Sequence, residues 1–409
     1  MGVISFIGHR FMRIYKGSFS KPVIRIATAG ISMSVAVMIV SVVIVKGFQA
    51  EIRNKVIGYS GHVRIKPYQM SAADQQIPLD FMREDIQKLN LGMTDVVSIR
   101  PTAEKAGILK TDEQIEGCMF KGVTAEYFKG FLSSTIVEGR FPVFPDDSVG
   151  NEVAISAITA NRMQFSVGDD LRMYFLLPGE QQPRGRKFTI TGIFDTGLSE
   201  LDKKYMFGDL RHLQRLNQWE ENQAGIVEIL IDDYDEIDKA VQQATIIVDY
   251  DLEVWNVRDL YPEIFNWLDL LDMNVMVIII IMLVVAIINI VTILLIRILE
   301  KTPAIGTLKS FGASNGKIRR IFLYISSSVL LKGLLIGNLI GFSIALLQKY
   351  FQILKLDQET YYVSAVPVYF DWVFLLALNI SVFGIGLIVM VFPSMIISGI
   401  YPAKTLRLK

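Results

Sequence analysis

Few side chains in this sequence have the type and spacing that enzyme chemistry needs. The histidines, His9, His62 and His212, lie far apart in different predicted elements, and no H-E-x-x-H, G-x-S-x-G or EF-hand spacing occurs. The single cysteine, Cys118, excludes a disulfide within the chain and a cysteine zinc cluster, and we expect it to be a small buried hydrophobe. The sequence therefore predicts no catalytic residue and no metal site.

One stretch superficially resembles a phosphate-binding loop. It reads G-A-S-N-G-K-I from Gly312, with three rather than four residues between its glycines. Ile318 stands where a Ser or Thr would hold magnesium, and the stretch follows a predicted helix rather than a strand. We therefore expect no cofactor bound by this chain, and any ATP and magnesium would belong to a separate subunit.

The composition indicates a membrane protein with a sizeable aqueous part. Of 409 residues, 51% are hydrophobic and 20% charged, with a mean hydropathy of +0.39. Residues 46–272 hold about 24 Lys and Arg against 37 Asp and Glu, so this block is acidic although the whole chain is neutral. No basic stripe with interleaved aromatic residues is present, which argues against a nucleic-acid partner.

Apolar runs predict four transmembrane helices. Val275–Ile296 carries no charge and is long enough to cross a bilayer, and Ile26–Val45 ends without a small-x-small cleavage site, so we interpret it as a retained helix rather than a signal peptide. Lys and Arg concentrate in the N-terminus, the 297–320 loop and the tail, which places these segments in the cytoplasm. The predicted layout is an amphipathic cytoplasmic-side helix (1–22), transmembrane helices (23–46, 273–298, 320–347 and 371–398), an extracytoplasmic domain with stalk helices (47–272), a cytoplasmic coupling segment (299–319), an extracytoplasmic loop (348–370) and a cytoplasmic tail (399–409).

The long external block has a mixed α/β pattern. Strands are predicted at 62–66, 225–231 and near 246–254, and helices at 81–89, 157–165 and 209–216. Strands near both ends, with an insertion at about 106–220 between them, indicate two subdomains. The predicted fold class is a membrane protein with four transmembrane α-helices and a large mixed α/β extracytoplasmic domain of two subdomains on a helical stalk.

A β-hairpin is predicted inside the insertion. Leu171–Phe175 and Phe188–Gly192 alternate with period two and flank a Pro- and Gly-rich loop. Arg184 and Arg186 would be offered to solvent at its tip. The hairpin is either an ordinary exposed loop or an arm that docks an extracytoplasmic partner.

The segment between the second and third spans predicts a short amphipathic helix at the membrane surface. Pro303 suits its first turn, Ile305 and Leu308 fall on one face, and Gly312 ends it as a C′ residue. Basic residues flank it on both sides. Such a helix could be displaced by a partner that binds it from outside the membrane.

The third span carries two notable features. Gly333, Gly337 and Gly341 are spaced four apart, which favours close packing against another helix. Lys332 lies beside them near the middle of the span, where it either snorkels to an interface or takes part in pairing or coupling.

Several stretches together resemble one permease superfamily over essentially the whole chain. They are F-I-G-H-R-F and V-K-G-F-Q-A-E-I-R-N-K-V-I-G around the first span, N-E-V-A-I-S-A-I-T-A-N-R-M-Q-F-S-V-G-D-D-L in the external block, E-K-T-P-A-I-G-T-L-K-S-F-G-A-S before the third span, and P-S-M-I-I-S-G-I-Y-P-A-K-T-L-R near the end. The superfamily contains the lipoprotein-releasing, macrolide-exporter and cell-division transmembrane subunits of ABC systems. G-F-Q-A-E-I-R-N-K-V-I-G-Y-S-G-H, Y-Y-V-S-A-V-P-V and Y-P-A-K look most similar to the lipoprotein-releasing (Lol-type) permeases.

The resemblance implies a non-enzymatic permease in the bacterial inner membrane, with both termini cytoplasmic and the external domain periplasmic. Its implied partners are a cytoplasmic ABC ATPase dimer, a second permease copy or paralogue, a lipoprotein substrate and a periplasmic lipoprotein carrier. The alternatives are a mechanotransmission exporter of small molecules or peptides, and a cell-division scaffold that activates cell-wall hydrolases. The hairpin loop is shorter than the hook expected of a carrier-docking subunit, which leaves the carrier role and the choice between homodimer and heterodimer open.

The resemblance and the layout together assign roles to particular residues. The residues assigned to ATPase coupling are Glu300, Lys301, Ile305, Gly306, Leu308, Lys309 and Gly312. Of these, Ile305 and Leu308 would lie in a groove of the ATPase surface. Contact with the lipid anchor falls to Met38, Val42, Phe48, Leu271 and Val275. Carrier docking falls to Arg184 and Arg186.

Overall fold

The computed structural model describes residues 20–68, 76–111, 113–177 and 182–399. The helices are α1 (Ser20–Ser60), α2 (Glu84–Gly92), α3 (Ala157–Met163), α4 (Ser199–Lys204), α5 (Arg211–Asn217), α6 (Ile237–Ile247), α7 (Val257–Leu260), α8 (Pro262–Glu300), α9 (Thr302–Ser310), α10 (Asn315–Phe351), α11 (Gln358–Tyr361) and α12 (Trp372–Ser394). The strands are β1 (Val63–Pro67), β2 (Leu79–Asp80), β3 (Val96–Lys110), β4 (Ile115–Val123), β5 (Ile136–Gly139), β6 (Glu152–Ser156), β7 (Asp170–Phe175), β8 (Arg184–Phe194), β9 (Tyr205–Asp209), β10 (Gln223–Ala224), β11 (Ile226–Ile231) and β12 (Leu252–Asn256).

Within the described residues, four helices are long and apolar enough to cross a membrane, as the hydropathy pattern predicts. They cover Pro22–Ser60, Pro262–Glu300, Asn315–Phe351 and Trp372–Gly399. The expected amphipathic helix at 1–22 lies almost entirely outside the described residues, as does the tail from residue 400.

The chain divides into two compact units. Of the described residues, a helical unit takes 20–50, Trp267–Lys355 and 365–399, and an α/β unit takes Glu51–Asn266 and Leu356–Ser364. The apolar core of the helical unit is drawn from all four spans and from α9.

Close packing inside the helical unit depends on the glycine ladder of α10. A Cβ added at Gly333 would lie 2.6 Å from Ile31 Cγ2, and one at Gly337 would lie 2.7 Å from the carbonyl oxygen of Ser32. The third glycine, Gly341, also meets atoms of α1. Because all three contacts fall on α1, the glycines let α10 approach the first span almost backbone to backbone.

The α/β unit is built on one ten-stranded mixed sheet. Its order is β12-β1-β11-β3-β4-β9-β6-β8-β5, with β7 paired to β3 and β8, and a separate two-stranded sheet joins β10 to β2. The first half of β3 pairs with β11 up to Thr102, and its second half pairs with β4 from Ala103 onward. The sheet therefore has two halves that share β3, and the half that contains β4 and β6–β9 has its own apolar core. The α/β part is one compact unit, and the division into two subdomains stays a prediction.

The strand predicted near 246–254 needs correction. The chain is helical up to Ile247, and the strand begins only at Leu252. Ile237 and Ala244 are buried at helical spacing on α6, so the helical period outweighs the β propensity of the I-I-V run.

The boundaries of one predicted helix also shift. The helix expected at 81–89 begins at Glu84 and ends at Gly92. Phe81 instead continues from β2, and its N–H donates to the carbonyl oxygen of Asn222 at 3.0 Å.

The predicted hairpin is present, but its two arginines are not in the loop. Strands β7 and β8 pair antiparallel, and Arg184 and Arg186 stand opposite Phe175 and Met173 within that ladder. Both arginines are half-buried rather than exposed. Arg184 and Arg186 lie on the same face of β8 as the buried Phe188, so the apolar alternation breaks off although the strand continues, and Lys187 occupies the exposed face.

Candidate functional site

A cavity of about 500 Å³ in the helical unit is the best candidate for a substrate site. Its walls come from α1, α8 and α12, and they are apolar apart from one acid–base pair and a serine. The lining residues are Val42, Val45, Lys46, Asp272, Val275, Met276, Ile279, Ile280, Phe374, Ala377, Leu378 and Ser381.

The helical spacing of these residues explains why they line the same cavity. On α8, Asp272, Val275 and Ile279 recur every three or four positions, which places them on one side of the helix. The same spacing relates Val42 to Lys46 on α1 and joins the lining positions of α12. Three helices thus each contribute one face.

The charged groups of the cavity lie at one end of these faces. Lys46 Nζ is 3.7 Å from the Asp272 carboxylate and donates to Gln49 Oε1 at 3.3 Å. Gln49 Nε2 in turn donates to the carbonyl oxygen of Leu268 at 3.2 Å. Long apolar walls with a charged pair at one end match a molecule that combines hydrocarbon with a polar head.

The residues expected to contact a lipid anchor divide into two groups. Val42 and Val275 line the cavity. Met38 is fully buried in the core of the helical unit, and Phe48 and Leu271 are half-buried and stand outside the cavity lining. Sequence reasoning missed the contribution of α12, because hydropathy identifies a span without indicating which helix lies beside it.

The segment predicted to couple to an ATPase forms helix α9, and the end of this helix has a complete C-terminal cap. Gly312 has φ +84°, its N–H donates to the carbonyl of Lys309 at 2.9 Å, and the N–H of Ala313 donates to that of Leu308 at 3.0 Å. These two bonds make a Schellman motif, which requires the left-handed conformation that glycine adopts without strain. Pro303 occupies the first turn.

The inward face of α9 does not match the expectation that its apolar residues fit a groove on the surface of the ATPase. Ile305 is only 1% exposed and Gly306 is buried, and both pack within this chain, with Leu308 half-buried beside them. Lys309 Nζ donates to the carbonyl oxygen of Ile397 at 2.7 Å, so it caps the end of the fourth span. Ile305 and Lys309 therefore both make contacts within this chain, with Ile305 buried in its core and Lys309 half-buried, and their role toward the ATPase stays a prediction.

The outward face of α9 is the surface available to a partner. Pro303 and Thr307 are exposed there, and Phe311 follows with 84% of its surface exposed. Glu300 and Lys301 form a 4.0 Å ion pair just before the helix. Sequence reasoning missed Phe311, although an aromatic residue directly before a helix-ending glycine was a usable signal.

The α/β unit contains a buried network of four charges, contributed by strands β1, β3, β4 and β11. Glu228 Oε1 lies 2.6 Å from Lys121 Nζ and 2.9 Å from Arg64 Nη2, and Arg64 is also 2.8 Å from Glu104. Lys121 and Glu228 have no exposed side-chain surface. Burial alone would raise the pKa of Glu104, but the charges of Arg64 and Lys121 outweigh it and hold that pKa at about 2.

The two cations of this network also hold the C-terminal end of α1. Lys121 Nζ donates to the carbonyl oxygen of Tyr59, and Arg64 Nε donates to that of Ser60 at 3.2 Å. Two positive charges thus satisfy the last carbonyls of the helix and complement the negative end of its dipole. The network therefore joins the C-terminal end of α1 to strands β1, β3, β4 and β11, where the two halves of the sheet meet.

The two described histidines are each held in the α/β unit by a backbone hydrogen bond. His62 Nδ1 accepts from the Ile231 N–H at 3.2 Å, and His212 Nε2 donates to the carbonyl oxygen of Gly150 at 2.9 Å. Within the described ranges, no group of three His, Cys, Asp or Glu side chains is placed to hold a metal ion. Cys118 is buried, and burial raises the pKa of its thiol to about 12.

Two family models together match most of the chain. A MacB-like periplasmic core domain matches residues 26–247, and an FtsX-like permease C-terminal domain matches residues 276–402. The first alone covers more than half of the 409 residues. The chain belongs to this family of ABC-transporter permeases, which are non-catalytic subunits of the inner membrane.

Relatives within the permease family align over nearly the whole chain at low identity. The lipoprotein-releasing system transmembrane protein LolC of Xylella fastidiosa (strain Temecula1) is 22% identical over 434 residues, covering 98% of each chain. LolE of Haemophilus influenzae is 23% identical over 421 residues, again covering 98% of each. Among solved structures, the periplasmic region of MacB from Actinobacillus actinomycetemcomitans covers 53% of this chain and 99% of its own, with 14% identity and a TM-score of 0.33.

Proposed function

We propose that this permease extracts lipoproteins from the inner membrane and releases them to a periplasmic carrier, driven by a separate cytoplasmic ABC ATPase. The observation that carries the proposal is the 500 Å³ apolar cavity between α1, α8 and α12, with the Lys46–Asp272 pair at one end. Acyl chains would occupy the apolar part, and the polar backbone of the anchored protein would meet the charged pair. The relatives named as lipoprotein-releasing proteins support the same substrate class.

The proposed topology follows from the distribution of basic residues. Lys and Arg concentrate in the N-terminal segment, between α8 and α10, and in the tail, so these parts lie in the cytoplasm. The α/β unit then lies in the periplasm. Partners in this proposal are an ATPase dimer that binds ATP and magnesium, a second permease copy or paralogue, and a carrier that meets the β7–β8 hairpin.

The outward face of α9 is the proposed contact with the ATPase. Closure of the ATPase dimer would press on Pro303, Thr307 and Phe311, while Ile305 transmits the load into the helical core. Because α1 and α8 are uninterrupted helices of 41 and 39 residues, displacement of a span is carried along the helix axis. In this proposal, ATPase closure displaces α9, and the displacement reaches the cavity through α1 and α8, which line it.

Depletion of the protein followed by membrane fractionation tests the proposal. We expect lipoproteins to accumulate in the inner membrane as the permease disappears. Normal delivery of lipoproteins to the outer membrane, together with altered susceptibility to toxic compounds, would instead favour a mechanotransmission exporter and refute lipoprotein release.

A further inference from the structure

Lys332 is the only charged residue between Arg320 and Lys349 on α10. Its side chain is exposed on the outside of the helical unit, and so are its neighbours Leu331 and Leu335. The glycine ladder that packs on α1 occupies the other side of the same helix. Lys332 therefore points away from the interior of this chain.

Lys332 lies near the middle of the membrane. Phe342 packs with Trp372 at 5.8 Å between ring centroids, in the kind of aromatic cluster that marks a membrane–water interface. Lys332 is ten positions from Phe342 and twelve from Arg320, which at helical rise is about 15 Å and about 18 Å. Since a bilayer core is about 30 Å thick, the ammonium group lies close to the midplane.

Nothing in the described parts of this chain compensates that charge. The ammonium group of Lys332 makes no hydrogen bond and no ion pair with any residue that the structure describes. Snorkelling satisfies lysines near helix ends, but not one that is equally far from both interfaces. A charged side chain at the centre of a transmembrane helix is costly to insert, so such a residue is expected to have a partner.

We propose that the Lys332 face of α10 binds a transmembrane helix of another chain that carries an Asp or Glu at the same depth. A carboxylate is the group that pairs with an ammonium ion in a medium of low dielectric constant, and the exposed leucines around Lys332 supply the apolar contact. A second copy of this chain does not fit, because its apolar runs at 26–45, 275–296, 321–347 and 372–397 contain no Asp or Glu. The acids nearest to them, Asp272, Glu300 and Asp371, stand at span ends. The partner on this face is therefore a chemically distinct membrane protein.

Site-specific photo-crosslinking of the full-length protein in native membranes tests the proposal. p-Benzoylphenylalanine replaces Leu335, one turn from Lys332, and a matched control carries the probe at Ile388, an exposed position on α12. We expect an adduct with a different membrane protein from position 335 but not from 388. The crosslinked peptide should map to an apolar span within about one turn of an Asp or Glu.

Charge exchange then separates pairing from simple proximity. Lys332→Met keeps the length and apolar stem of the side chain, so it should insert normally, and it should abolish the adduct. Lys332→Glu should also abolish it, and changing the mapped acid of the partner to Lys should restore it. Lipid adducts alone, an adduct between two copies of this chain, or an unchanged yield in Lys332→Met would each overturn the proposal while leaving the lipoprotein assay unaffected.

Discussion

Individual residues of the buried network make the end of α1 sensitive to substitution. Lys121→Met should destabilise the protein by about 3–5 kcal/mol, because the carboxylates of Glu228 and Glu104 are then left with Arg64 as their one buried cation. The loss would appear as a lowered midpoint of thermal unfolding of the detergent-solubilised protein.

The double variant Lys121→Met with Glu228→Gln is the control. It removes one charge of each sign and leaves the Arg64–Glu104 pair at 2.8 Å in place. We expect it to recover most of the lost stability, since neutral side chains avoid the cost of an uncompensated charge. Equal destabilisation by the single and double variants would contradict the view that an unpaired charge, rather than lost packing, is responsible.

His62 predicts a pH dependence of stability. Its burial, and to a lesser extent the charge of Arg53, lowers the pKa of His62 from 6.5 to about 4. Between these values the unfolded chain binds a proton that the folded chain does not, so stability falls as the pH falls from 6.5 to 4, by on the order of 3 kcal/mol.

Thermal unfolding measured across that pH range checks the prediction. His62→Asn removes the titrating group, so its stability should change less between pH 6.5 and 4 than that of the wild-type protein. Parallel pH profiles for the two proteins would show that His62 does not titrate in this way.

For the buried charged residues, the sequence predicts only part of the arrangement seen in the structure. Lys121 and Glu228 each lie within a mostly apolar strand, which signals that a buried partner is needed. The sequence does not predict which residues pair, because these two are 107 positions apart and meet only through the order β1-β11-β3-β4.

Among the elements, α10 depends on its glycines for contact with α1. Gly337→Ala should destabilise the helical unit by about 1–3 kcal/mol, because the new Cβ would lie 2.7 Å from the Ser32 carbonyl oxygen and 2.7 Å from Val35 Cβ. Gly384→Ala on α12 is the matched control, since nothing lies within 4 Å of its added Cβ. Thermal unfolding in detergent should show a loss for the first variant and no loss for the second. Equal effects would indicate a general intolerance of alanine.

At the proposed ATPase contact, Phe311 is a large exposed apolar side chain directly after α9. Phe311→Ser should reduce ATPase stimulation in the reconstituted complex by about tenfold or more, the effect of losing an interface residue worth at least about 1.4 kcal/mol. Tyr350→Ser, which removes a similarly exposed aromatic ring at the other end of α10, should leave stimulation unchanged. Full stimulation by the Phe311→Ser complex would remove this residue from the interface.

Helices and strands are predictable from the sequence where the apolar residues recur with one clear spacing. Hydropathy identifies the spans, and Pro303 and Gly312 indicate the start and the end of α9. The prediction is wrong where the pattern is ambiguous, as in the I-I-V run of α6, which resembles a strand. The apolar face of α9 is visible in the sequence, but a sequence does not show whether such a face serves its own core or a partner.

For the whole molecule, composition separates membrane and aqueous parts, and the family resemblance indicates the superfamily. The sheet order and the sharing of β3 are not predictable, since both depend on pairings between distant strands. The sequence predicts part of the cavity: Val42 and Val275 are expected on it, whereas the α12 wall requires knowledge of how the spans pack.

The most direct test of the account is to fill the cavity and follow lipoproteins. Ala377→Trp places an indole in the cavity, and Leu376→Trp places the same group on the adjacent exposed position outside its lining. In cells that depend on the variant protein, membrane fractionation should show lipoproteins retained in the inner membrane with Ala377→Trp and delivered normally with Leu376→Trp, at equal protein levels. Normal delivery by the Ala377→Trp protein would contradict the claim that this cavity holds the lipid anchor.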